Sequence, residues 1–164
     1  MSGQADLFKL GMRRLAAGVS LITTRDGTGG RHGLIATSVT SVSLTPPSLL
    51  TCINKSVSSY EALTRSGVFC VNLLPEGADD IAVRFSSSRF RDVRFTEGNW
   101  SELETGSPVL DDAIASFDCR ITSAIDASSH TIFIGEVVGV RLPEQPTSPL
   151  LYLDGAFARC APAA

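Results

Sequence analysis

The 164 residues carry 43% hydrophobic and 19% charged side chains with a formal net charge of −3; this suits one globular domain over 1–164 with a packed core. The acidic balance, with no run of Lys or Arg, excludes a nucleic-acid footprint and a membrane-surface patch. No stretch approaches the roughly 18 apolar residues a transmembrane helix needs, and the N-terminus lacks a signal-peptide pattern, so the expected setting is cytoplasmic, with no membrane partner.

Taken in chain order, Ser2 to Gln4 read as frayed. Asp6 opens a helical pattern through Leu7, Leu10, Met12, Leu15 and Ala16, closing at Gly18. Val19–Thr24 is β-rich, and 26–30 (DGTGG) is a turn cluster. Gly33–Ser43 reads as one long strand with a small, polar face, closed by Pro46-Pro47. Leu49–Ile53 is the next strand. Ser58 and Glu61 have the spacing of a capping box, predicting a short helix that stops at Gly67. Phe69–Leu74 reads as a buried strand and Asp79–Phe85 as a helical turn or two. Residues 86–106 are polar and irregular, with Phe90, Phe95 and Trp100 spaced through them. Ala115–Ile125 and Thr131–Arg141 are long β-runs joined by 126–130. Leu150–Leu153 is a short last strand and Cys160–Ala164 a tail. Many strands, short helices and no βαβ alternation predict an antiparallel barrel or sandwich.

The four cysteines, at 52, 70, 119 and 160, form no Cys-x-x-Cys pair and have no His partner at ligand spacing. Three lie in apolar strands, where a free thiol behaves as a small hydrophobe; neither a metal site nor a disulfide is expected. There is no metal-binding His pair, no P-loop and no nucleophile elbow. The glycine run at 27–30 lies between strands, unlike a Rossmann fingerprint.

Three places could carry chemistry. Asn54-Lys55-Ser56-Val57-Ser58-Ser59 leaves a strand and enters a helix N-terminus, whose free N–H groups and partial positive charge suit a phosphate; the plainer reading is a cap and a solvated loop. With one lysine and no arginine, that site predicts a modest grip. Ala36-Thr37-Ser38-Val39-Thr40 is either a solvated strand face or a wall for a flat, polar-edged ring. His130 stands at a turn before an apolar strand, as a surface residue or a functional one.

In order, these pieces resemble the flavin reductase family, from about Phe8 to Phe157. The resemblance rests on Gly18-Val19 with Thr23-Thr24, on residues 33–47 (GLIATSVTSVSLTPP) and on 54–58 (NKSVS). It continues in 69–74 (FCVNLL), 130–137 (HTIFIGEV) and 150–152 (LLY). It implies a mainly β, antiparallel split β-barrel of Greek-key type with a few short flanking helices. The implied activity is NAD(P)H-dependent reduction of FMN (or FAD), with NADH or NADPH as co-substrate. The implied assembly is a homodimer that supplies reduced flavin to a flavin-dependent monooxygenase. A flavin carrier or store on the same barrel, without nicotinamide turnover, is the other reading. The resemblance sets Ala36 and Thr37–Thr40 against the flavin ring, and Asn54, Lys55, Ser56, Ser58 and Ser59 along the ribityl phosphate. Phe85 closes over the flavin, with Tyr152 also at the cofactor. His130 takes the catalytic place on the nicotinamide side, although Ser128-Ser129-His130 stands where the family often has Gly-Asp-His, removing an aspartate partner for the imidazole.

Overall fold

The computed structural model describes residues 3–145 and 147–161; the readings of Ser2 and of the last three residues of the tail lie outside them. The main body is a seven-stranded antiparallel sheet in the order β3-β2-β6-β9-β10-β5-β4. Its strands are β2 (Ser20–Arg25), β3 (Arg31–Ala36), β4 (Thr40–Leu44), β5 (Pro47–Asn54), β6 (Val68–Leu73), β9 (Ala115–Ala127) and β10 (His130–Arg141). β1 (Ala17–Gly18) joins β11 (Leu151–Leu153) and β12 (Ala156–Ala158) in a small sheet, and β7 (Trp100–Glu102) pairs with β8 (Pro108–Leu110). Helices α1 (Gln4–Met12), α2 (Tyr60–Ser66), α3 (Asp79–Ser86) and a 3₁₀ segment at Ser88–Val93 flank these sheets.

The two edge strands of the seven, β3 and β4, are consecutive in the chain. The sheet therefore curls until its edges approach, yet no backbone ladder closes it: this is the split. Sequence alternation predicts one strand across Gly33–Ser43, but the chain breaks at Thr37–Val39. β3 is committed to β2 (Ile35 opposite Leu21) and β4 to β5 (Thr40 opposite Leu50), so the segment between must cross from one edge to the other. Side chains stitch the crossing. Ser38 Oγ donates to the Cys52 carbonyl at 3.0 Å and accepts from the Cys52 N–H at 3.1 Å, standing in for a ladder residue. At the other edge the Gly33 carbonyl accepts from Ser59 Oγ (2.9 Å) and Arg94 Nη1 (3.0 Å). Unpaired edge groups are satisfied without a further strand.

Strand alternation separates two cores. Ile22 points into the barrel with Leu34, Ile53, Phe69, Val71 and Phe133. Its neighbour Leu21 points outward, into a second core with Leu74, Ala82, Phe85, Leu110 and Leu150. Asn72 crosses between them fully buried: its amide donates to Leu21 O and Thr23 Oγ1, and its Oδ1 accepts from Leu110 N–H and Ser116 Oγ.

Two further sequence expectations change. α1 ends at Met12 rather than Gly18, because Ala17 and Gly18 pair with Tyr152 and Leu151. The β9–β10 connection is the two-residue turn Ser128-Ser129, Ser128 having φ 59°, so both strands run longer than the apolar pattern suggested. Residues 86–106 are built into the fold: Phe95 lies edge-on to Phe85 (5.1 Å between ring centroids), and Trp100 lies 4.8 Å from Phe95.

Gly33 marks the tightest contact at the split. A Cβ there would sit 2.7 Å from Phe85 Cε1 and 3.3 Å from the Ile22 carbonyl. Gly33→Ala should therefore cost about 1–3 kcal/mol of stability by overpacking, read as a lower midpoint in thermal unfolding; an unchanged midpoint would show that the ring can yield.

Candidate active site

The split opens into a cradle of about 440 Å³. Gly33–Ile35 of β3 form one wall, Ser56–Ser59 of the β5–α2 loop a second, and Phe85, Ser86, Ser88, Arg91 and Arg94 the third. The loop is held by Asn54, whose Oδ1 accepts from the N–H (2.9 Å) and the hydroxyl (2.8 Å) of Ser56. This is the turn-forming habit of Asn. Ser56 and Ser58 remain exposed at the cradle. The capping-box expectation is corrected: Ser59, not Ser58, is the N-cap of α2, and its side chain bonds Gly33 rather than the helix. α2 has only seven residues, so the loop side chains, not the helix end, define this wall.

Arg94 is the chemical centre of the cradle. It is 7% exposed. Its Nη1 donates to Gly33 O at 3.0 Å, its Nη2 to Ser87 O at 3.1 Å, and its plane lies 5.8 Å from the Phe85 ring. Its buried Nε has no acceptor among the described residues. Burial first, and then Arg91 nearby, pull its pKa below the ordinary guanidinium value, although arginine stays charged in proteins. Two like charges at one concave, serine-lined surface are stabilised by an anion between them. The sequence reading counted one lysine and no arginine at this loop, whereas the cradle it enters is lined by Arg91 and Arg94.

Lys55 does not line this cradle. Its Nζ donates to the Asp126 carboxylate and, at 2.7 Å, to the Ser128 carbonyl, and its backbone N–H reaches Ser129 O at 2.9 Å. Lys55 holds the Asp126 carboxyl below its usual pKa and clamps the turn that leads into His130. His130 stands directly opposite Asn54 in the β10–β5 register, at the end of the barrel where the cradle loop begins. Ser129 Oγ lies 2.9 Å from His130 Nδ1.

The remaining expectations fall elsewhere. Thr37, Ser38, Val39 and Thr40 line a separate apolar groove with Leu15, Leu49, Phe117 and Val137, reached from the cradle along β3 through buried Ala36. From Gly33 to Thr37 is roughly 13 Å of extended chain, a span that a phosphate-to-ring molecule can bridge. Phe85 is 2% exposed and forms the cradle floor, not a cover. Tyr152 packs against Phe157 in the small sheet and lines neither cavity. The sequence signal for the missed arginines was Arg91-x-x-Arg94 among the aromatics of 86–106. All four cysteines are free, and burial pushes Cys119 up to about 12. No group of metal-binding side chains occurs among the described residues, and none of their helices is long and apolar enough to cross a membrane.

The fold is an antiparallel barrel split at one seam, with a serine–arginine cradle in the split. The chain belongs to the flavin reductase family: residues 12–161 match the flavin reductase like domain. It is 42% identical over 154 residues to the FMN reductase (NADH) RutF of Variovorax paradoxus (strain S110), covering 94% of this chain and 84% of the relative. It is 46% identical over 157 residues to FMN reductase (NADH) RutF 1 of Methylorubrum extorquens (strain PA1), covering 96% and 77%. Among solved structures it resembles the NADH:FAD oxidoreductase SgcE6 of Streptomyces globisporus C-1027, in complex with NAD and FAD fragments. That match has a TM-score of 0.89 and 29% identity over 98% of this chain and 95% of the other. The styrene monooxygenase flavin reductase of Pseudomonas putida S12 superimposes with a TM-score of 0.86 and 29% identity, over 96% of this chain and 99% of the other.

Proposed function

We propose that this chain is an NADH-dependent flavin reductase that takes FMN and delivers reduced flavin to a partner monooxygenase. The observation that carries the reading is the cradle, where Arg91 and Arg94 converge on Ser56 and Ser58 and the buried Arg94 Nε lacks an acceptor among the described residues. Arg94 and the two hydroxyls would hold the flavin phosphate, and the Thr37–Thr40 segment would flank the ring. Bound flavin supplies the hydride acceptor, so the oxidation–reduction chemistry belongs to the cofactors. The protein's work is to grip the phosphate, fix the ring against the seam and orient the nicotinamide. His130, held by Ser129 and the Lys55–Asp126 clamp, would stand on the nicotinamide side.

The chain offers a surface for a second copy. Leu7, Phe8, Leu10 and Met12 on α1 are 49–69% exposed, and Leu44 is 89% exposed, more large apolar surface than a lone subunit usually shows. A homodimer burying it should double the 17.3 kDa chain mass in light scattering; a monomer at working concentration would rule the dimer out.

The deciding measurement is NADH consumption with and without FMN. Flavin-dependent turnover supports the reductase. FMN binding without NADH oxidation would replace it with a flavin carrier. His130→Ala and Lys55→Met should share one phenotype: a raised KM for NADH with FMN affinity unchanged. If Lys55→Met weakened FMN instead, its side chain would belong to the phosphate site and not to the turn.

A further inference from the structure

Between its two ladders the seam is held by one hydroxyl. β3 makes its last pairing at Ala36, opposite Ser20, and β4 its first at Thr40, opposite Leu50. Thr37, Ser38 and Val39 belong to neither ladder, and none of them joins a backbone–backbone bond of a turn or loop among the described residues. Backbone without such bonds sits at the low-stability end of a fold. This stretch has two anchors. Val39 packs against the inner core. Ser38 Oγ accepts from the Cys52 N–H at 3.1 Å and donates to the Cys52 carbonyl at 3.0 Å. A hydrogen-bonded residue of an antiparallel ladder exchanges the same two bonds through its own N–H and C=O. Ser38 makes both with a single side-chain atom, and its backbone is spared.

That commitment limits what Ser38 can offer a ligand. A hydroxyl has one proton to donate, and this one goes to Cys52. The groove beside it has Leu49, Phe117 and Val137 as apolar walls, and it meets the exposed Thr37 and Thr40 with the unpaired backbone between them. A flat ring with polar edges is gripped well only by donors and acceptors already fixed in place, because ordering them on binding costs affinity. The next hydroxyl along β5 gives no such help: Thr51 Oγ1 is buried with no partner among the described residues.

We infer that Ser38 is a positioning residue, whose hydroxyl latches the 37–39 crossing onto Cys52 and so preorganises the backbone of the crossing for the edge of the flavin ring. The inference rests on the ring lying along this segment, as proposed above. Ser38 then acts through Thr37 and Val39 and does not itself touch the cofactor.

The test compares FMN with riboflavin, which keeps the ring and lacks the phosphate, by fluorescence titration. Ser38→Ala should weaken both ligands by the same factor, about tenfold, whereas Arg91→Met should weaken FMN alone. Hydrogen exchange on the peptide carrying Cys52 should quicken in Ser38→Ala, and thermal melting checks that each variant is folded. Ser38→Thr keeps the Oγ and should restore both affinities and the protection. Thr51→Val, one residue away from Cys52, should leave both ligands at wild-type affinity. Faster exchange with both affinities within twofold of wild type would make Ser38 structural only and overturn the inference. Unchanged exchange, a loss confined to FMN, a Ser38→Thr variant as weak as Ser38→Ala, or an equal loss in Thr51→Val would overturn it too, as would a wild type that binds FMN but not riboflavin. A wild type that binds neither ligand removes the flavin reading itself, a different failure from a wild type and a Ser38→Ala variant that bind equally well.

Discussion

Arg94→Met should weaken FMN binding by roughly tenfold to a hundredfold, because a hydrogen bond to a charged group is worth about 1.5–3 kcal/mol and each 1.4 kcal/mol is about tenfold in affinity. The same change removes the Arg94 donors from the carbonyls of Ser87 and Gly33, the latter keeping only Ser59 Oγ, so the melting temperature should fall as well. Arg91 separates the two effects. It lines the same cradle but is exposed, so Arg91→Met should weaken FMN with little change in melting. Arg94→Lys should be intermediate, keeping the charge but losing the planar fork that spans Gly33 and Ser87. Affinity should also fall with added salt, less steeply for the buried Arg94 contribution than for Arg91. FMN affinity within twofold of wild type in both methionine variants would remove the cradle as the phosphate site.

Much of the barrel could be read from residues. Leu49, Thr51 and Ile53 alternate inward as the pattern of β5 requires, and the continuous apolar run of β6 is buried on both faces. The break at Thr37–Val39 could not be read, because hydroxyl and β-branched residues favour strand throughout and only the competing partners of β3 and β4 divide them. The end of α1 was hidden for the same reason. Leu15 and Ala16 continue a helical pattern, but Ala17 pairs with Tyr152, far along the chain. The site was half visible. Ser56, Ser58 and the Asn54 turn stand in one short stretch, whereas Arg94 meets Gly33 across 61 residues. A lysine beside a serine loop suggests phosphate, and nothing local shows that Asp126 and Ser128 will claim it. Phe85 has the same lesson: an aromatic near a cofactor loop suggests a cover, and only the packing of the following twenty residues turns it into a floor.

Phe85→Ala tests that last point. As a core ring the change should cost about 3–5 kcal/mol, lowering the melting temperature by roughly 6–20 °C for a chain of this size. A mobile cover would behave otherwise, losing FMN affinity with little loss of stability. The ring touches three things at once: Phe95 at 5.1 Å, Trp100 at 6.0 Å and the space where a Gly33 Cβ would stand. Removing it should therefore relieve the Gly33→Ala clash, and contacting residues of this kind couple by about 0.5–3 kcal/mol. Gly33→Ala should be nearly neutral in the Phe85→Ala background though destabilising in the wild type. Additive losses in the double variant would mean that the two residues do not meet, and the floor of the cradle would have to be drawn without Phe85.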